Sequence, residues 1–220
     1  MKSLVILAGG KSSRMGQNKV FLEYKGETFL ERIAVNASAF FDRIYISADS
    51  EEHISQILAM PRIKELNKKG SFIIPICDAC QGIGPMGGLM SVMEKASEPL
   101  LAVIPVDVPD GDMETLSLMW NEMSAHAYTK EDTTKALLLA DDSGRVEPLI
   151  GVYKTAALEN FRSLSAKGRY KIVDAFSEGE LVPLTEEKLR EKYPALAEKD
   201  LKKCFCNINT MSDYVNLTSK

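Results

Sequence analysis

The apolar residues of the chain fall into short unbroken runs separated by stretches of longer period. Residues 3–8, Ser-Leu-Val-Ile-Leu-Ala, show no polar alternation after Ser3 and stop at Gly9-Gly10, a pattern that predicts a strand buried on both faces of a parallel sheet. Similar runs stand at Arg43-Ile44-Tyr45-Ile46-Ser47, Phe72-Ile73-Ile74-Pro75-Ile76 and Leu100-Leu101-Ala102-Val103-Ile104, each preceded by a segment of helical character. Residues 28–41 place apolar side chains at 29, 30, 33, 34, 37, 40 and 41, a helical stripe with Thr28 as N-cap and Glu31 completing a capping box. A second helix is expected over 86–96, just past a glycine-rich loop. This alternation predicts an α/β fold: a doubly wound, mostly parallel, Rossmann-like sheet with helices on both faces. Ligands of such sheets sit in the crevice at the carboxyl ends of the strands.

Beyond residue 110 the pattern loosens. A helix is expected near 112–125, strands at 136–140 and 146–153, and the turn Asp141-Asp142-Ser143-Gly144 makes those two strands an antiparallel hairpin. Residues 177–203 are charged and carry no readable period, and neither a repeat nor a low-complexity linker divides the chain. Residues 1–220 are therefore read as one domain.

Composition narrows the possibilities. The 220 residues carry 27 Lys+Arg and 31 Asp+Glu, a formal net charge of −4, which argues against a nucleic-acid partner. Hydrophobic residues make up 45% and charged residues 26%, and no apolar run approaches the ~20 residues of a membrane span, so no membrane partner is expected. A folded chain of this mass buries about 70% of its surface, enough for one core without staples. Four cysteines and a six-residue apolar stretch after Met1-Lys2, too short for a signal-peptide core, lead to the expectation of a reduced, cytoplasmic protein. Cys77-x-x-Cys80 and Cys204-x-Cys206 make a poor zinc set, because the pairs lie far apart and the second has a single intervening residue.

The densest chemistry follows the first strand: Leu7-Ala8-Gly9-Gly10-Lys11-Ser12-Ser13-Arg14-Met15-Gly16-Gln17-Asn18-Lys19. Glycines let backbone N–H groups approach phosphate oxygens, hydroxyls add donors and the cations neutralise charge, so the loop is suited to a polyphosphate. Gly10-Lys11-Ser12 ends like a P-loop, but that pattern needs glycine where Val5 stands in mid-strand. Gly82-Ile83-Gly84-Pro85-Met86-Gly87 matches G-x-G-x-x-G, with Asp107 twenty residues on. Cys77 to Gln81, however, separate it from the strand, where the dinucleotide fingerprint needs a tight turn. In Pro105-Val106-Asp107-Val108-Pro109 the two prolines fix the backbone at the end of the fourth run, aiming Asp107 into the crevice that receives the 9–19 loop. A lone acid beside a polyphosphate reads as a Mg²⁺ ligand. Its alternative, an N-cap for the helix near 112, is better filled by Asp110 or Asp112. Asp78, after the third strand, is a second acid at this edge, or else a turn residue.

These residues, taken together, resemble a known family. The stretch from Leu7 to Lys19 resembles the nucleotide-binding loop of nucleoside-triphosphate sugar- and cofactor-nucleotidyltransferases, and its Ala-Gly-Gly form resembles the molybdenum cofactor guanylyltransferases. Gly84-Pro85-Met86-Gly87-Gly88, Pro105 to Pro109, Glu147-Pro148-Leu149 and Asn207-Ile208-Asn209-Thr210 are similar to further motifs of that family, in the same order. The resemblance implies a nucleotide-diphospho-sugar transferase type of fold, with a nucleotide-binding half at 1–110 and an acceptor-side half at 111–220. It also implies transfer of GMP from GTP to the molybdopterin cofactor with Mg²⁺, releasing pyrophosphate. Transient contacts with proteins that donate or accept the cofactor would follow.

The implied nucleotide site comprises Leu7, Ala8, Gly9, Gly10, Ser13, Arg14, Gly16, Lys19, Asp49, Asp78, Gly84 and Asp107. Within it Asp107 holds the metal, and Arg14, Lys19 and Asp107 are the catalytic residues. Arg169, in the basic segment 167–171, and the amides of Asn207 and Asn209 are expected to bind the acceptor's phosphate and pterin. Three positions depart from the family pattern: Asn18 where Asp precedes the loop lysine, Asp49 in place of Asn, and Glu147 in place of His. A cytidylyltransferase on the same cofactor, a nucleotide-sugar enzyme, a nicotinamide-dependent dehydrogenase using the 82–87 glycines, and a non-catalytic nucleotide-binding adaptor remain as alternatives.

Overall fold

The computed structural model describes residues 1–9, 18–70, 72–80, 82–126 and 132–218. The first apolar run forms β1 (Ser3–Leu7), whose five residues are all buried. Leu4 and Ile6 join the hydrophobic cluster on one face of the sheet, and Val5 and Leu7 join the cluster on the other, which is why the run has no polar alternation. After a 3-10 turn at Lys19–Phe21, β2 (Glu23–Tyr24) and β3 (Glu27–Thr28) form a small ribbon. The ribbon closes at Lys25 and Gly26, both at positive φ (54° and 81°), as a two-residue hairpin turn requires.

The capping box forms as expected at the start of α1 (Phe29–Ala37): Thr28 Oγ1 accepts from Glu31 N at 3.2 Å, and the Glu31 carboxylate accepts from Thr28 N at 3.2 Å. The helix ends at Ala37, and Phe41 reaches the core from a turn instead. There follow β4 (Arg43–Ala48), α2 (Glu51–Ala59), α3 (Pro61–Lys68), β5 (Phe72–Cys77), α4 (Pro85–Lys95) and β6 (Leu100–Pro105). α5 (Met113–His126) is capped by Asp112, whose carboxylate accepts from Thr115 N at 2.8 Å. The expected hairpin is β7 (Ala136–Ala140) and β8 (Val146–Lys154), closed by Gly144 N donating to Asp141 O.

Residues past the hairpin run through a 3-10 turn at Thr155–Ala157, α6 (Leu158–Ser165) and a second 3-10 turn at Ile172–Ala175. Within the stretch left unassigned from sequence, β9 (Leu181–Thr185) pairs parallel with β7, and α7 (Glu186–Lys192) follows, capped by Thr185. Next come a 3-10 turn at Pro194–Leu196, α8 (Leu201–Cys204) and α9 (Met211–Thr218).

The seven-stranded sheet has the order β5-β4-β1-β6-β8-β7-β9, with β8 antiparallel to both neighbours and every other pairing parallel. α4 and α6 cover one face, while α1, α5 and the carboxyl-terminal segments cover the other. From β1 the chain winds outward through β4 to β5 and then returns to place β6 on the other side of β1. That reversal opens a crevice between the carboxyl ends of β1 and β6.

Candidate active site

Backbone pairing continues past the strand ends. Ala8 N donates to Ser47 O (3.0 Å), Asp78 N to Ala48 O (2.8 Å) and Val106 N to Leu7 O (3.1 Å). The residues after β1, β4, β5 and β6 are thereby aligned along one edge. A cavity of about 200 Å³ opens there, lined by Leu7, Ala8, Gly9, Asn18, Lys19, Pro85, Pro105, Val106, Asp107 and Leu149.

Lys19 begins the first 3-10 turn and sends its ammonium across the mouth of the crevice. Its Nζ lies 2.8 Å from Asp107 Oδ2 and 3.0 Å from Asn209 Oδ1. The carboxyl-terminal segment is docked on the same loop by Ile208 N donating to Asp107 O at 2.8 Å. Three remote parts of the chain thus meet at one point. The second oxygen of Asp107 accepts no hydrogen bond from a described residue, and its side chain is 21% exposed. Among the described residues no cluster of three or more His, Cys, Asp or Glu is arranged to hold a metal, the four cysteines included. Mg²⁺ does not need one: it is commonly held by one or two carboxylates together with substrate phosphates and water, and Asp107 fits that donor set.

Asp78 lies deeper. Ser47 Oγ donates to its Oδ1 at 2.7 Å, and burial pushes its pKa up to about 6. The Ser47 bond favours the charged form, and Asp49 opposes it. The glycines around it are there for space. A Cβ on Gly9 would sit 2.5 Å from Asp78 Oδ2, one on Gly88 would collide with Ser47 Oγ, and one on Gly87 with Cys80 O. Gly84 caps α4 with φ 68° and ψ −155°, a conformation that glycine tolerates, and Pro85 follows at the first helical position. The glycine-rich 82–88 stretch is therefore a helix entry seated on Ser47 and Asp78.

Leu7, Ala8, Gly9, Lys19 and Asp107 line the one cavity, with Asn209 joined to it through Lys19. Asp49 stands at the end of β4, 3.0 Å from His53 Nδ1. Gly10, Ser13, Arg14 and Gly16 lie outside the described residues. Asn207 lines a neighbouring cavity of about 260 Å³ with Asp142, Glu147, Glu186 and Lys202. Its Oδ1 is buried without a partner among the described residues. Arg169 stands on the loop after α6, where it pairs with Asp174 at 2.7 Å, and it lines neither cavity. Sequence reasoning missed Ser47, which reads as an ordinary strand residue, and His53, a buried position on an amphipathic helix.

The family model for the MobA-like NTP transferase domain matches residues 4–181. Curated proteins named "Probable molybdenum cofactor guanylyltransferase" are similar over nearly the whole chain. The one from Halalkalibacterium halodurans is 28% identical, covering 97% of this chain and 96% of its own. The one from Clostridium perfringens is also 28% identical, covering 100% and 97%. Among solved structures, molybdopterin-guanine dinucleotide biosynthesis protein A from Archaeoglobus fulgidus superposes with a TM-score of 0.73 at 22% identity, covering 99% of this chain and 97% of its own. The 2-C-methyl-D-erythritol 4-phosphate cytidylyltransferase of Thermus thermophilus shares the fold at a TM-score of 0.62 and 17% identity, covering 100% and 98%. No helix among the described residues is long and apolar enough to cross a membrane.

Proposed function

The chain belongs to the MobA-like NTP transferase family, and from that premise we propose that it transfers GMP from GTP to the molybdopterin form of molybdenum cofactor, releasing pyrophosphate. The observation that carries this reading is the meeting of Lys19, Asp107 and Asn209 at the β1/β6 crevice. A phosphate monoester attacking an α-phosphorus flanked by anionic oxygens is slowed chiefly by charge repulsion, so neutralisation and in-line positioning supply most of the acceleration. Leu7, Ala8, Gly9 and Gly10 bring backbone N–H groups to the nucleotide. Lys19, with Arg14, Ser13 and Gly16 of the same loop, holds the triphosphate and stabilises the departing pyrophosphate.

Asp107 would hold Mg²⁺, which supplies charge neutralisation at the α-phosphate. No general base is required, because a phosphate monoester is largely dianionic near neutral pH. Among the described residues, no histidine lines the cavity. Asp78 is the group suited to the base: its two oxygens can accept from guanine N1–H and the 2-amino group, a donor pair that cytosine lacks. Asp49 and Gly84 complete the nucleotide side within residues 1–110, and residues 111–220 form the acceptor side. There Asn207 and Asn209 meet the pterin, whereas Arg169, paired with Asp174 outside both cavities, is not assigned to the acceptor. The acceptor arrives from, and its product leaves to, proteins that carry the cofactor.

The test is pyrophosphate release with Mg²⁺ and molybdopterin in the presence of each nucleoside triphosphate in turn. Release with GTP alone is expected. Release with CTP alone would assign the cytidylyl transfer instead, and release with a sugar phosphate rather than molybdopterin would remove the acceptor.

A further inference from the structure

The nucleotide site has a buried support that takes no part in the steps above. Asn18 Oδ1 accepts from Val20 N at 3.1 Å and so caps the 3-10 turn that Lys19 begins. A backbone N–H can only donate, so the amide oxygen must face Val20 and the Nδ2 group must face the other way. It faces His53 Nε2, 3.2 Å distant. Nδ2 is also a donor only, so His53 Nε2 must carry its lone pair, and the ring hydrogen must sit on Nδ1. That hydrogen is directed at Asp49 Oδ1, 3.0 Å away. The ring itself is buried, packed against Phe21 of the same turn at 5.6 Å between centroids.

We propose that His53 is a positioning residue of the nucleotide site: as the neutral Nδ1–H tautomer held by Asp49, it fixes the Asn18 amide and, through that cap, the turn that brings Lys19 to Asp107. A doubly protonated ring would set an N–H against the Asn18 NH₂ group. The amide could satisfy it only by turning over, which would place Nδ2 against Val20 N–H and remove the cap. Among the described residues, the charged and titratable groups around the ring are Asp49 at Nδ1, Asp78 across the strand end, Glu51 and Glu52 in the first turn of α2, and Lys19 next to Asn18.

This inference rests on the nucleotide-transfer reading for its kinetic arm only. Nitrogen NMR of the imidazole is expected to show His53 protonated at Nδ1 at neutral pH, with His53→Phe identifying the signal against that of His126. Once the pH is low enough for the ring to take a second proton, the KM for GTP of the unsubstituted protein should rise about fivefold, the cost of one lost cap, with kcat changing less. In Asn18→Asp, one carboxylate oxygen can accept from Val20 N–H and the other from a protonated ring. The cap therefore survives a doubly protonated ring, and the fivefold rise should disappear. His53→Phe should show the raised KM at every pH. Asp78, its pKa pushed up to about 6 by burial, is present in all three proteins, so the difference between the pH profiles is the quantity that decides.

An Nε2–H tautomer, or identical pH profiles for the unsubstituted protein and Asn18→Asp, would overturn the proposal. If no nucleotide is transferred by any of the three, the functional reading fails. In that case the tautomer, and the pH dependence of Mg·GTP binding measured by calorimetry, still decide the role of His53.

Discussion

Replacing Gly9 by Ala tests the packing of the site where the end of β1 meets Asp78. Gly9 is not among the positive-φ residues, so alanine brings no backbone strain and the effect is steric alone. The new Cβ would lie 2.5 Å from Asp78 Oδ2, where ordinary contact begins at 3.4 Å. The carboxylate must therefore retreat, yet Ser47 Oγ holds it at 2.7 Å and its own N–H is bound to Ala48 O at 2.8 Å. Retreat breaks the Ser47 bond, and a hydrogen bond to a charged group contributes about 1.5–3 kcal/mol. Gly9→Ala should thus destabilise the protein by about 2 kcal/mol, a fall in Tm of about 4–8 °C for a chain of this length. In an Asp78→Ala background the obstacle is gone and the same substitution should cost almost nothing, giving a coupling of about 2 kcal/mol in a double-mutant cycle. Thermal and urea unfolding of the four proteins provide the assay. A Gly9→Ala protein with unchanged Tm, or an additive cycle, would refute the close approach of Gly9 to Asp78.

Asp107→Asn keeps the shape of the side chain but removes the charge that pairs with Lys19 at 2.8 Å. The kcat/KM for nucleotide transfer should drop at least about a hundredfold, as for the loss of one preorganised electrostatic contact, and retained turnover at saturating Mg²⁺ would contradict its role. Asp78, with its pKa pushed up to about 6 by burial, keeps its proton to higher pH in the folded state than in the unfolded chain. Stability should therefore fall as pH rises from about 4 to about 6 and level off above. Asp78→Asn should abolish that slope in urea midpoints measured across the range. Thr28→Ala removes the hydroxyl of the capping box and should cost about 1 kcal/mol in urea unfolding, with no effect on the KM for GTP.

The features legible in the sequence were those with local causes. β1, β4, β5 and β6 are buried on both faces and so announce themselves as apolar runs, and the Thr28/Glu31 box and the Asp112 cap are set by residues within three positions of each other. The convergence of Leu7 to Gly9 with Asp107 could be anticipated, because both follow strands of a doubly wound sheet. β9 could not be read: its residues are only half-buried and include Pro183, so neither period nor propensity marks it. Nor could the β2–β3 ribbon, with two residues in each strand. The link from Ile208 N to Asp107 O, and the pairing of Arg169 with Asp174 away from both cavities, depend on tertiary packing alone. His53 reads as one more inward position of α2, and only its distances to Asn18 and Asp49 give it a role.

A crevice at Lys19 and Asp107 that moves GMP from GTP onto molybdopterin must carry the α-phosphate of GTP into the product. The most direct measurement follows a radiolabel on the α-phosphate of GTP, incubated with the protein, molybdopterin and Mg²⁺ and separated by chromatography. Label is expected in a guanine dinucleotide form of the cofactor, in amounts matching the pyrophosphate released, and should be lost on chelation of the metal or in Asp107→Asn. Label that stays in free GMP, or that enters the cofactor from CTP and not from GTP, would contradict it.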